Sequence, residues 1–173
     1  QGPTHSQSLQ SWFAHIPGLK VVVPSLPSNA YTLLNESIKD PNPVIYIEHR
    51  WLHESNQKKL FKKKIKIGQS ELIEKGKDLT IITNSLSTLE LMSLKKVIYN
   101  AGITYDHIDL LSIKPLDFKL IKKSLIKTKK LLILDTISNP ICSIGSDIIS
   151  QVAREKKIKL KKTPSLLTLP DLP

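Results

Sequence analysis

Ala14-His15-Ile16-Pro17-Gly18-Leu19-Lys20-Val21-Val22-Val23-Pro24-Ser25 compresses a helix end, a turn, a strand and the approach to a second helix into one short stretch. Leu9, Trp12, Phe13 and Ile16 recur at helical spacing, and Pro17-Gly18 stops that helix. Leu19 to Val23 then reads as a buried strand. Just upstream, Gly2-Pro3-Thr4-His5-Ser6-Gln7-Ser8 puts a histidine on a Gly/Pro turn ahead of the helix. Loops held by such a scaffold are where α/β folds carry reactive groups. The stretch reads as the middle of a fold unit, and sequence ahead of it is expected to complete that unit.

The alternation continues downstream. Ser25 is placed to cap the next helix, with Pro27 in its first turn and Ala30, Leu33, Leu34 and Ile38 as its inner stripe. Asp40-Pro41-Asn42-Pro43 is a tight loop before a strand from Val44 to Ile47. The polar run Glu54-Ser55-Asn56-Gln57-Lys58-Lys59 and Lys62-Lys63-Lys64 then read as a solvated linker. A second unit follows, with strands at 79–83, 104–110 and 131–134 and a last strand at 166–169. Its first helix has Ser87 and Glu90 as a capping box, an inner stripe of Leu91, Leu94, Ile98 and Ala101, and Gly102 as terminator. A helix marked by Leu116, Leu120 and Ile121 follows Pro115. Ser143 opens another, with Ile144, Ile148, Ile149 and Val152 inward. Strands alternating with such helices imply an α/β protein of three layers with largely parallel sheets. The expected domains are 1–54 and 66–173, with 55–65 as linker.

Composition excludes several classes. The 173 residues are 40% apolar, enough for a packed core. No apolar run approaches the roughly 20 residues of a membrane span, and no signal-peptide pattern is visible. The single cysteine, Cys142, rules out an intrachain disulfide, fits a reducing compartment and reads as a buried thiol. The net charge of +11 is uneven, with residues 1–54 at -1 (3 basic, 4 acidic) and residues 55–173 at +12 (23 basic, 11 acidic). Only Arg50 and Arg154 are arginines. Nucleic-acid recognition exploits the bidentate guanidinium and stacking aromatics, both scarce in the basic half. A lysine-rich solvated surface is preferred to a nucleic-acid site.

Several separated blocks carry a family resemblance. His5-Ser6-Gln7-Ser8, the stretch from Ala14 to Ser25, Asp40-Pro41-Asn42-Pro43-Val44, Ile113-Lys114-Pro115-Leu116-Asp117 and Thr168-Leu169-Pro170-Asp171 follow one family's order and spacing. They resemble the β subunit of the E1 component of thiamine-diphosphate-dependent 2-oxo acid dehydrogenases, of pyruvate and branched-chain type. The resemblance implies the end of a transketolase-like pyrimidine-binding domain followed by a transketolase C-terminal-type domain. It implies thiamine diphosphate and Mg²⁺ shared with an α subunit, a second β subunit, and an E2 acyltransferase that receives the acyl group on lipoyl. A cytoplasmic, mitochondrial or plastid matrix setting goes with it, with no nucleic acid and no membrane. The family's upstream glutamate, which bonds the aminopyrimidine, has no match here, so the chain alone is expected to be inactive.

Within that frame His5 is the catalytic candidate. Its imidazole moves protons near neutral pH, and in similar subunits the matching histidine serves lipoyl acylation. Ser37, Ile38, Asp40 and Asn42 match a segment that binds K⁺ in similar subunits, largely through carbonyls left open at a helix end. His15 is read as bonding last-turn carbonyls, and His107 as structural. Glu48 has no visible carboxylate partner. His49 and His53, four apart, lack a third ligand for zinc. Two other readings remain: another transketolase-like thiamine enzyme, and a non-catalytic module whose basic half binds an acidic partner.

Overall fold

The computed structural model describes residues 7–55, 64–136 and 139–171. Two sheets organise them. Chain order is α1 (Gln10–His15), β1 (Lys20–Val22), α2 (Pro27–Lys39), β2 (Val44–Tyr46), β3 (Glu71–Glu74), β4 (Leu79–Thr83), α3 (Leu86–Asn100), β5 (Tyr105–Asp109), β6 (Ser112–Lys114), α4 (Phe118–Thr128), β7 (Leu131–Leu134), α5 (Ile144–Arg154) and β8 (Ser165–Leu167).

The larger sheet has the order β3-β5-β4-β7-β8. Its four inner and right-hand strands run parallel, and β3 pairs antiparallel with β5 at one edge. Period-two alternation divides its side chains between two faces. Ile81 and Tyr105 pack with Leu91 of α3 on one side. Ile82, Ile108 and Ile133 pack with Ile121 and Leu125 of α4 and Ile148 and Val152 of α5 on the other. Three layers result, as expected from the sequence.

The smaller sheet, β2-β1-β6, was only partly foreseeable. Strands β1 and β2 are parallel, whereas β6 pairs antiparallel with β1, setting Val22 opposite Ser112. A three-residue strand has no pattern of its own, so its partner defines it. Strand β3 escaped notice for the same reason, being four half-buried residues on a sheet edge. The expected linker falls mostly on residues 56–63, outside the described residues. Its last residue, Ile65, is buried with Val22, Leu33 and Leu111.

Several local expectations are corrected. Ser25 does not cap α2; its hydroxyl donates to Asp109 Oδ1 at 2.8 Å. Asn29 Oδ1 instead accepts from the amides of Ser25 and Leu26 at 3.1 and 2.9 Å, closing the helix entry from inside. Only Leu33 of the expected α2 stripe is fully buried; Leu34 and Ile38 are exposed. Trp12 on α1 and Leu94 on α3 are likewise exposed, since a short or one-sided helix covers less than a full stripe. Ser87 forms no capping box, because its hydroxyl accepts from the Asn84 amide and donates to the carbonyls of Asn84 and Leu134. Cys142 is exposed, at φ 57° in the turn before α5, rather than buried. Ser143 does cap α5, accepting from Ser146 N at 3.0 Å.

Candidate functional site

The C-terminal ends of the parallel strands lie where open α/β sheets carry their sites. His5 lies outside the described residues. Ser8, the last residue of its motif, lies at this pole, where its Oγ donates to the Thr136 carbonyl, just beyond β7, at 3.0 Å. The acceptor sits in a fixed polar knot. Thr136 Oγ1 bonds Asn84 Oδ1 at 3.1 Å, Asn84 Nδ2 donates to Asp135 Oδ1 at 3.2 Å, and the Gly145 amide donates to Asp135 Oδ2 at 3.2 Å.

A second polar chain runs beneath the seam between the sheets. Asp109 Oδ1, at the end of β5, accepts from Ser25 Oγ at 2.8 Å and from Thr88 Oγ1 at 3.0 Å. Thr88 in turn bonds Thr83 Oγ1 at 2.7 Å, which bonds His107 Nε2 at 2.7 Å. Burial pushes the Asp109 carboxyl up to about 7, and its Oδ2 has no hydrogen-bond partner among the described residues. Burial lowers His107 to about 4, keeping it neutral, in line with its structural reading. Sequence reasoning missed Asp109, since an aspartate closing the short strand Tyr105-Asp106-His107-Ile108-Asp109 carries no motif.

Near the ends of β1 and β2 a cavity of about 350 Å³ is lined by Pro24, Ser25, Glu48, His49, His53 and Ser55, among others. His49 Nδ1 accepts from Trp51 N at 3.3 Å, and burial lowers its pKa. His53 Nε2 lies 3.6 Å from Glu48 Oε2. No cluster of three or more metal-ligating side chains occurs among the described residues. An aminopyrimidine needs a buried carboxylate to bond. The cavity's one carboxylate, Glu48, is half exposed and faces an imidazole, so this cavity does not fit the cofactor's reactive ring.

Ser37, Ile38, Asp40 and Asn42 come together at the end of α2. Asp40 is engaged already. Its carboxylate accepts from Lys20 Nζ at 2.6 Å and from the amide and side chain of Asn42 at 2.9 and 3.0 Å, and Lys20 above all holds it down at about 2. The Ser37 carbonyl, expected to be open, accepts from Asp40 N at 3.3 Å. A cation here would have to rely on other main-chain oxygens. His15, expected to bond the last carbonyls of α1, is exposed and makes no such bond among the described contacts. Lys114 Nζ takes that role, donating to Ala14 O at 2.9 Å and Ile16 O at 2.7 Å.

Residues 68–173 match the family of the transketolase C-terminal domain, and residues 1–54 match that of the transketolase pyrimidine-binding domain. The chain belongs to the transketolase C-terminal domain family. Among relatives of this transketolase-type chain is "Pyruvate dehydrogenase E1 component subunit beta" of Gracilaria tenuistipitata var. liui, 39% identical over 87% of the chain and 47% of that protein. The protein of the same name in Porphyra purpurea is 34% identical over 99% of the chain and 52% of its own length. "Acetoin:2,6-dichlorophenolindophenol oxidoreductase subunit beta" of Cupriavidus necator is 34% identical over 98% of the chain and 50% of that protein. The chain thus spans about half the length of the curated relatives it matches. A solved "split gene transketolase, inactive beta4 tetramer" superposes with TM-score 0.77 at 21% identity, covering 94% of the chain and 52% of that structure, which places the fold alone.

Proposed function

We propose that the chain acts as part of an E1 β-type subunit of a 2-oxo acid dehydrogenase. With an α subunit it serves decarboxylation of a 2-oxo acid on thiamine diphosphate and acylation of the lipoyl group of E2. The carrying observation is collinear similarity to pyruvate dehydrogenase β subunits at 34–39% identity across both transketolase-type segments. In this reading residues 1–54 end the pyrimidine-binding domain, 55–65 link, and 66–173 form the C-terminal domain. The family matches, which stop at 54 and resume at 68, favour that division.

His5 is the acyl-transfer residue of this reading, supported by the placement of Ser8 at the strand-end pole. Thiamine diphosphate and Mg²⁺ are held in the complete assembly with an α subunit and a second β subunit. K⁺ binds at the turn of Ser37, Ile38, Asp40 and Asn42 through main-chain oxygens. A mitochondrial or plastid matrix, or a bacterial cytoplasm, suits such an assembly. Among the described residues no helix is long and apolar enough to cross a membrane.

The full reading frame assembled with an α subunit should reduce a dye with pyruvate in a thiamine-diphosphate-dependent manner and should acetylate a lipoyl domain. His5→Ala should reduce lipoyl acylation more than dye reduction. Activity on ketose phosphates and none on 2-oxo acids would overturn the reading. The Cupriavidus relative favours one second reading, acetoin as the substrate, which the same dye assay distinguishes.

A further inference from the structure

We propose that the N-terminal pole of the larger sheet docks an extended acidic segment of a partner polypeptide. This pole lies opposite the strand ends that carry the candidate site. Lys77 stands just before β4, Lys129 and Lys130 just before β7, and Lys159, Lys161 and Lys162 on the chain leading from α5 into β8. Backbone bonds draw these approaches together, the Lys161 amide donating to Lys129 O at 2.8 Å and the Thr80 amide to Lys130 O at 2.9 Å. Bonds from Thr104 above all hold the Asp78 carboxyl below its usual range, and the charges of Lys77 and Lys130 add to this, which puts both lysines beside it.

The acids of this pole are already engaged. Asp78 Oδ2 accepts from the Thr104 amide at 2.8 Å and its hydroxyl at 2.6 Å. Asp106 accepts from Lys127 Nζ at 2.7 Å on one oxygen and from Ser124 Oγ at 2.6 Å on the other. Glu155 likewise accepts from Lys122 Nζ at 2.6 Å and from the Lys157 amide at 3.0 Å. No ion pair among the described residues takes Lys129, Lys130, Lys159, Lys161 or Lys162, and all five are exposed. Lys129 at the end of α4 offsets that helix's dipole, but the lysines at 159–162 lie well past the end of α5. Ile158 is buried and Leu160 packs on the same core, while Lys157, Lys159 and Lys161 face solvent. That period of two suits an extended partner, whose alternate side chains share a face. Arg154 is the only arginine after residue 54, and the strongly exposed aromatic rings among the described residues, Trp12, Tyr31 and Trp51, all precede residue 55. Base stacking and bidentate phosphate recognition lack their usual groups here, whereas carboxylates need only the charge. Concentrated like charge also repels itself, which an acidic partner relieves.

The test uses the full reading frame, with a fluorescent peptide of alternating glutamate and threonine as the probe. The peptide should bind, and added salt should weaken it. Combining Lys159→Glu, Lys161→Glu and Lys162→Glu should weaken binding roughly tenfold or more. The same reversal at Lys39, Lys66 and Lys119, which are exposed elsewhere, should weaken it less than about threefold. If the first triple variant does not fold, glutamine at the same three positions should shift the affinity in the same direction by a smaller factor. Zero-length carbodiimide coupling should join the bound peptide to Lys129, Lys130 or the lysines of 159–162. A peptide of equal composition with its glutamates in blocks should bind roughly threefold more weakly, because its carboxylates no longer share one face when extended. Absence of binding, or equal loss in the two triple reversals, overturns the docking surface. Equal affinity for the alternating and the block peptide overturns the extended alignment. Tighter binding of a single-stranded RNA oligonucleotide or of phosphatidylserine vesicles, lost in the first triple variant, overturns the acidic polypeptide as the occupant.

Discussion

Asp109 and His107 sit two residues apart on β5 and titrate in opposite senses. The Asp109 carboxyl, raised by burial to about 7 from 3.8, holds its proton more tightly in the folded chain than in the unfolded one. Its contribution to stability is greatest below about pH 4 and declines as pH climbs toward 7. His107, lowered by burial to about 4 from 6.5, behaves in the reverse way. Its contribution is complete above about 6.5 and is lost as pH falls toward 4. Each amounts to a few kcal/mol at about 1.4 kcal/mol per pKa unit. Between pH 4 and 6.5 the two slopes oppose and flatten the profile. Asp109→Asn keeps an oxygen for Ser25 and Thr88 but cannot ionise, so its melting temperature relative to the parent should rise from pH 4 to about pH 7 and level off above it. A difference independent of pH would show that Asp109 does not titrate in this range. At this scale the sequence told little. His107 reads correctly as structural, but the burial that raises Asp109 is a product of the fold, and Ser25 and Thr88, whose bonds partly offset it, stand 84 and 21 residues away.

Elements with a full internal pattern were legible and those made by their neighbours were not. Helix α5 shows this well, since its cap Ser143 and its buried Ile148 and Val152 are all visible in sequence. Removing the cap in Ser143→Ala should cost about 1 kcal/mol in denaturant unfolding, with no change in the slope that reports exposed surface. The turn from β3 to β4 is the opposite case. At Gly76 an added Cβ would fall 2.0 Å from the Tyr105 amide nitrogen and 2.4 Å from the Thr104 carbonyl carbon, both backbone atoms that cannot yield. The Gly76 amide meanwhile donates to Asp106 Oδ1 at 3.0 Å. Gly76→Ala should therefore push the turn off β5 and cost several kcal/mol, well beyond the roughly 1 kcal/mol of an average point substitution. A melting temperature within a degree or two of the parent would contradict this close approach. Strand β6, which carries Lys114, was hidden because three residues become a strand only against β1. The helical spacing of α1 was legible, whereas the bonds from Lys114 to its last carbonyls were not.

At the scale of the molecule the expected two-domain division and the observed packing make different demands. Strand β6, from the second segment, completes the sheet of the first. Val21 and Val23 belong to the same apolar cluster as Ile108, Ile113 and Ile121, and Leu33 meets Ile65 and Leu111 in another. Apolar surface buried jointly by two segments couples their unfolding, because neither can open without exposing the other's share. The chain should thus unfold as one unit, and the slowest-exchanging amides of β1 and β4 should report one opening free energy. Leu33→Ala, which empties a fully buried site at the seam, should lower that value by roughly 2–5 kcal/mol in both strands. Native-state hydrogen exchange resolves the two strands separately. A drop confined to β1 and α2, with β4 unmoved, would mean that the segments are independent folding units. The bonds from Lys114 to the end of α1 would then be a weak contact between separate bodies. A drop shared by both strands makes the seam part of one cooperative core, which is what lets a lysine beyond residue 110 fix the position of a helix near residue 10.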